Sequence, residues 1–432
     1  MKIDIVRSEF LKAWQMAERC TSTRSTLSSV GGVFLAADED KVLLSATDLK
    51  TSIRCTAGGV SVSQNGSAIL PVKLLGELFK KIPTDRFTIE IKDEKGVLVA
   101  GRSKTRFSTW FADEFPRLPQ SDGAKYLCAV PAHELLRVLV EGSIASSPTD
   151  DFPKYLGACL IQLKEGALRV ISTDSRRLSL SRCPCEGGEE AADLLLPIGP
   201  LRELQRLLTG VGEAPTSILY DGSLVWFQMG DIEFSIRRVD STFPNYEKIL
   251  NPSKTTIMLA NRGELLSALE RVDIIVRSHT RLVVMRFSPG GQLRLTGKAP
   301  EFGTALEEID AIIDGEPLKA GFNVAFLQDG LKSLGSDDIK MNLNGEAGQM
   351  TLHRQDTDDF LYMLMPVRIT EQDMIDPEEE DFFALTDKAP VEREEKKEKP
   401  LTGTGAGGKS GEETVLDALK SLEEISKEGT PE

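Results

Sequence analysis

Apolar positions along the first 370 residues change period in a fixed order. The opening MKIDIV alternates with period two, as a half-buried strand does. SEFLKAWQMAERC (8–20) then places Phe10, Leu11, Trp14 and Ala17 at helical spacing. PAHELLRVLVEGSIA (131–145) and NRGELLSALERVDII (261–275) repeat that helix. A second helix recurs as well, in ILPVKLLGELFKKIP (69–83), LLPIGPLRELQRLLTG (195–210) and AGFNVAFLQDGLKSLG (320–335). Each runs from a strand into an amphipathic helix, and Pro71, Pro197 and Asn323 stand about 126 residues apart where a helix begins.

The strands between them repeat too. SVGGVFLAADEDKVLLSATDLKTSIRC (29–55) reads strand, turn, strand, Thr-Asp, strand, and so does KYLGACLIQLKEGALRVISTDSRRLSLSRC (154–183). A third copy at 280–309 keeps the pattern without the Thr47-Asp48 or Thr173-Asp174 pair. The remaining segments are short, β-branched and bounded by Gly, Asp-Gly or Pro-Gly turns. This predicts an α+β chain of three repeated domains at 1–122, 123–252 and 253–369, each with two helices and antiparallel sheets. Helices cover only one face of such sheets, so the matching edges favour joining into an arc, and arcs favour closure into rings.

Composition narrows the chemistry. No apolar run is long enough for a membrane helix, and the first residues lack the layout of a signal peptide, so a cytoplasmic protein without a membrane partner is expected. The six cysteines are scattered, and the one close pair, Cys183-Pro-Cys185, has no further ligands near it in sequence. Packed or surface thiols are therefore expected, with no metal and no cofactor. Net charge is −15, but the segment after Thr370 carries about −11 of it, so the repeats themselves are near neutral.

That segment, 370–432, is acidic, then mixed in charge, then Gly-rich, and is expected to be disordered apart from a possible short helix at 411–427. It holds a literal phosphate-loop pattern, Gly403 to Ser410, but EREEKKEKPLT precedes it where a buried strand is required, so it reads as a linker. It also holds Asp381-Phe382-Phe383-Ala384-Leu385, two aromatics in an acidic stretch that read first as a sticky patch in a disordered tail and second as a segment folding back into a peptide groove.

Taken together, Thr173-Asp174-Ser175-Arg176-Arg177-Leu178, Phe243-Pro244-Asn245-Tyr246, Gly321-Phe322-Asn323-Val324 and Met365-Pro366-Val367-Arg368-Ile369 resemble the β subunit of bacterial DNA polymerase III, the sliding clamps. The resemblance spans residues 1 to about 369. It implies a head-to-tail homodimeric ring of clamp-type domains, helices lining the hole and sheets outside, that encircles duplex DNA and has no catalytic residues. It implies non-specific DNA contacts from Arg24, Lys73, Lys80, Lys81, Arg137, Arg202 and Arg206. It places a peptide-binding cleft at Leu156, Thr173, Ser175, Arg176, Arg177, Leu178, Pro244, Lys248, Ile249, Met363, Met365, Pro366, Val367 and Arg368, with Arg177 and Arg368 donating hydrogen bonds at its rim. Lys248 stands where an arginine is common, and Arg176 where a histidine is common. The implied dimer interface sets Arg102, Lys104, Arg106 and Phe107 against Ile274, Ile275, Glu301, Glu307 and Glu308. Implied partners are double-stranded DNA, a second copy, the polymerase III catalytic subunit, the clamp loader complex and other clamp-binding replication and repair proteins. Two readings of other classes are a nucleotide-hydrolysing enzyme using Gly403–Ser410 and a repeat-built scaffold unconnected to DNA.

Overall fold

The computed structural model describes residues 1–375 except Asp40, 149–151, Glu189, 251–253 and Gly290; residues 376–432 lie outside it, and with them the linker, helix and fold-back expectations for the tail. Three times the chain runs strand, helix, strands, helix, strands. The helices are α1 (Arg7–Glu18) and α2 (Val72–Lys81), α3 (Ala132–Gly142) and α4 (Ile198–Leu208), α5 (Arg262–Val276) and α6 (Val324–Ser333). Pro71, Pro131 and Pro197 stand just before α2, α3 and α4, where no backbone N–H is needed. Asn261 and Asn323 do the same work in the third repeat by accepting hydrogen bonds from Glu264 N (3.1 Å) and Ala325 N (3.0 Å).

The paired helices of each repeat pack on each other and on the sheets. In the first repeat α1 buries Phe10, Ala13, Trp14 and Ala17, while Leu11, expected in that stripe, is only half-buried. Trp14 meets Phe79 of α2 edge to face, with ring centroids 4.8 Å apart.

Four antiparallel sheets carry these helices. Two have nine strands, because neighbouring repeats fuse edge to edge. Strand Ile232–Arg237 pairs with Thr51–Thr56, setting Phe234 opposite Ile53. Strand Phe360–Leu364 pairs with Arg177–Pro184, setting Tyr362 opposite Ser179. The last strand of one repeat thus always meets the same strand of the preceding one. The third such pair, Ser103–Ser108 and Gly303–Asp310, is left as the edges of the five-stranded and four-stranded sheets. Among the described residues no helix is long and apolar enough to cross a membrane, and no His/Cys/Asp/Glu cluster could hold a metal ion.

Candidate functional site

At the junction of the second and third repeats a tight turn organises the sequence Thr173-Asp174-Ser175-Arg176-Arg177. Thr173 Oγ1 donates to Arg177 O (2.7 Å), and Asp174 Oδ1 accepts from the N–H groups of Arg176 and Arg177 (both 3.0 Å). Ser175 takes a left-handed φ of 71° at the tip of this turn. The first repeat builds the same turn from Thr47, Asp48 and Leu49 (φ 73°), with Thr47 Oγ1 donating to Thr51 O (2.6 Å). The repeated Thr-Asp pair is therefore a structural device before it is a functional one.

The turn delivers Arg177 into the interior. Its Nε donates to Asp174 (2.9 Å), its Nη1 to Asp329 of α6 (2.6 Å) and Tyr362 (3.3 Å), and its guanidinium lies 4.1 Å from the Phe326 ring centroid. Burial opposes its charge, but Tyr362 and the two carboxylates outweigh that and hold its pKa above the ordinary arginine value. Arg177 thus corrects the expectation of a rim donor: it is a buried tie between repeats. Asp329, Phe326 and Tyr362, which hold it, gave no signal in the sequence.

Leu178 and Met363 lie opposite each other in the fused sheet and share an apolar cluster with Leu160, Leu195 and Tyr246. They form a floor. Around it, Thr173 is buried, Leu156 and Pro366 are half-buried, and Ser175, Arg176, Pro244, Lys248 and Arg368 are exposed. Ile249, Met365 and Val367 stay 40–42 % exposed, an apolar wall with no cover. Backbone bonds fix that wall: Met365 N–H donates to Arg176 O (2.9 Å) and Val367 N–H to Gly321 O (2.7 Å). Gly321 has no room for a side chain, since a Cβ there would sit 2.9 Å from Val367 O. Arg176, Lys248 and Arg368 make no ion pair among the described residues.

The cations expected to face DNA divide into three groups. Arg24, Lys73, Lys81 and Arg202 are exposed. Lys80 and Arg206, also exposed, share carboxylates with Glu18 (3.1 Å) and Glu203. Arg137 is a correction. Its guanidinium is taken by Glu134 (2.7 Å), Glu141 (3.0 Å) and Asp359 (2.9 Å), with Arg354 closing the cluster on Asp359 (2.8 Å). These side chains tie α3 to the third repeat and leave Arg137 nothing to offer a phosphate.

The two unpaired edges carry opposite charge. Arg102, Lys104 and Arg106 are exposed on one. On the other, Glu301 is exposed, Glu307 is held by Arg271 (2.8 Å) and Glu308 by Arg294 (2.8 Å). Ile274 is exposed, whereas Ile275 packs partly on its own core. Phe107 is a third correction: expected on an open apolar face, it is buried in its own domain, its ring over Gly96.

Family models for the DNA polymerase III beta subunit match in three pieces: the N-terminal domain over residues 1–119, the central domain over 129–245 and the C-terminal domain over 247–368. The "Beta sliding clamp" of Synechocystis sp. is 29 % identical over 392 residues, covering 85 % of this chain and all of the relative. That of Pseudomonas aeruginosa is 26 % identical with the same coverage. The DNA polymerase III beta subunit of Thermotoga maritima superposes with a TM-score of 0.79 at 25 % identity, covering 85 % of this chain and 100 % of that one. The griselimycin-bound sliding clamp of P. aeruginosa gives 0.81 at 26 %, with the same coverage.

Proposed function

The chain belongs to the DNA polymerase III beta subunit family, and from that premise we propose how its residues perform the work of a clamp. It is a DNA sliding clamp: a ring around duplex DNA that makes the replicative polymerase processive and is not itself an enzyme. Its domains are 1–122, 123–252 and 253–369, it acts in the cytoplasm, and the polymerase III catalytic subunit, the clamp loader complex and repair proteins are its partners.

The observation that carries ring closure is the edge pair left over. The chain joins its repeats twice by the same antiparallel pairing, and only the strand Ser103–Ser108 and the strand Gly303–Asp310 of those six lack a mate. Equivalent landmarks carry the register across. Trp110, Val239 and Val367 each cross to the strand that leads into their repeat's second helix. Thr47, Thr173 and Lys298 pair with Ser52, Leu178 and Thr304. On that count Phe107 of one copy lies opposite Gly303 of the next, Thr105 opposite Ala305, and Arg102 opposite Glu308. Ser108 N–H then donates to Phe302 O, as Arg237 N–H does to Lys50 O and Met365 N–H to Arg176 O. Exposed ion pairs contribute only about 0–1 kcal/mol each, so the backbone ladder and the apolar residues hold the joint while the charges set register and exclude wrong partners.

Two copies closed in this way enclose the duplex. Arg24, Lys73, Lys81 and Arg202, with Lys80 and Arg206 partly neutralised, give screened, sequence-blind phosphate contacts that allow sliding. Partner peptides dock on Met365, Val367 and Ile249 over the Leu178–Met363 floor, with Arg176, Lys248 and Arg368 at the rim.

The test is retention of loaded protein on nicked circular DNA before and after the plasmid is cut, in moderate salt. Loss only after cutting is the expected result. Equal retention on circle and line would mean ordinary DNA binding. No retention on either, with an active loader present, would favour the scaffold reading.

A further inference from the structure

Closing a ring asks more of the joint between copies than of the joints within the chain. Inside the chain the covalent link keeps neighbouring repeats at a high effective concentration, so edge pairing needs little help. Two separate copies also give up translational and rotational freedom when they meet, and such interfaces rest on a few buried anchors, often aromatic. The free edges should therefore carry something that the fused edges lack.

They do. At the two internal joints the residues whose carbonyls receive the last ladder bond are Lys50 and Arg176. The matching residue at the free edge is Phe302, whose side chain stands out at 57 % exposure. A tight turn presents it: Phe302 N–H donates to Ala299 O (3.1 Å), and Gly303 follows with a left-handed φ of 92°. The opposite free edge, Ser103–Ser108, leads into an open pocket of about 610 Å³ lined by Leu27, Pro71, Lys73, Leu74, Thr109 and Trp110. Leu27 and Leu74 are 40 % and 47 % exposed, and Thr109 is buried with its hydroxyl unpartnered among the described residues. At the second internal joint the counterpart of Leu74 is Phe326, and there the Arg177 guanidinium lies over the ring. The counterpart of Arg177 on the free edge is Gly303, which has no side chain to lay on Leu74.

We infer that Phe302 of one copy seats in this pocket of the next, on Leu27, Leu74 and Trp110, and is the anchor of ring closure. This rests on the ring-closure reading above, in whose register Ser108 N–H donates to Phe302 O. Thr109 and Trp110 follow Ser108 directly, so the ring of Phe302 arrives at the pocket's mouth. Charge agrees, because Glu301 comes in beside Phe302 and Lys73 stands on the pocket's rim, both exposed. Seating takes apolar surface of both copies out of water. Truncating an anchor of this kind weakens a joint at least about tenfold. A ring of two copies has two such joints, so the dimer dissociation constant should rise at least about 100-fold.

The experiment measures the dimer dissociation constant of the full chain by sedimentation over a dilution series. It compares the parent protein with F302A, F302K, L74E and the double variant F302K with L74E. Both positions are exposed, so these substitutions leave each copy folded. The expected result is dissociation at least about 100-fold easier for every single variant, and a double variant tighter than F302K or L74E because each joint then sets lysine against glutamate. F302A as tight as the parent, or a double variant no tighter than its singles, overturns the proposal. Tryptophan emission gives a local reading. Trp14 and Trp226 are buried and Trp110 is half-buried, so a red shift on dilution into single copies reports the pocket. F302A dimers held together at high concentration should already show that shift, and emission like the parent's would overturn the proposal as well. Ring closure is judged separately by crosslinking T105C with A305C. If that pair fails to crosslink, the closure reading falls and the anchor with it; if it crosslinks while F302A stays tight, only the anchor falls.

Discussion

The two joints inside the chain share a backbone and differ in what they hang on it. Between the first and second repeats, Arg54 reaches Glu233 (2.9 Å), and Ser121 and Gln228 share that carboxylate. Between the second and third, two charge clusters cross the joint, one around Arg177 and one around Arg137, Glu141, Arg354 and Asp359. The outer surfaces differ in the same way. Met363, Met365 and Val367 occupy positions that hold Ser235, Arg237 and Val239 at the other joint. One frame therefore yields two junctions, of which only one offers an apolar cleft. The repeat specifies the joint, and a few side chains specify the function.

Arg177→Ala breaks this comparison most severely. It strands Asp174, Asp329 and Tyr362 without their cation and should cost about 3–5 kcal/mol in denaturant unfolding. Arg54→Ala, at a wetter joint, should cost about 1–2 kcal/mol. Equal losses would mean that the two joints are energetically alike.

Acid separates the regions next. Burial, with Lys254 nearby, holds the pKa of His353 at about 4, below its ordinary 6.5. The folded third repeat thus binds fewer protons than its unfolded chain between these values. Stability should be complete above pH 6.5 and fall as pH drops toward 4, by up to about 3 kcal/mol. The first repeat has no histidine. Unfolding monitored separately in the two repeats should show this slope in the third, and His353→Gln should flatten it.

Met365→Arg gives the second joint the residue of the first. The side chain is exposed, so stability should move by no more than about 0.5 kcal/mol, while partner peptides should lose at least about tenfold in affinity. The smallest effect concerns DNA. Arg24→Ala and Arg202→Ala should each lower the salt slope of DNA binding by about 0.9, whereas Arg137→Ala should leave it unchanged.

Much of this was legible in the sequence because repeats are local patterns counted along the chain. Helices, strands and the Thr-Asp turn follow from periodicity and from residues within a few positions of one another. The fate of Arg137 follows only in part: Glu134 and Glu141 stand within one helical turn of it, but Asp359, which ties it to the third repeat, lies 222 residues away and comes near only once two repeats have fused. Arg177 reaches Asp329 across 152 residues for the same reason. Phe107 is a different kind of miss. If Arg102, Lys104 and Arg106 face outward on one strand, the residue after Arg106 must face inward, and the alternation already said so.

The central claim is that two copies close by the pairing the chain uses twice within itself. It is tested most directly by T105C together with A305C, in a background with C185S, under mild oxidation. These two positions fall in a non-hydrogen-bonded cross-strand pair, where Cβ atoms approach to about 4.5–5.5 Å. The expected result is a dimer-sized band on a non-reducing gel that is absent when A305C is replaced by L306C. Crosslinking by the shifted pair instead, or by neither, would contradict closure through this register.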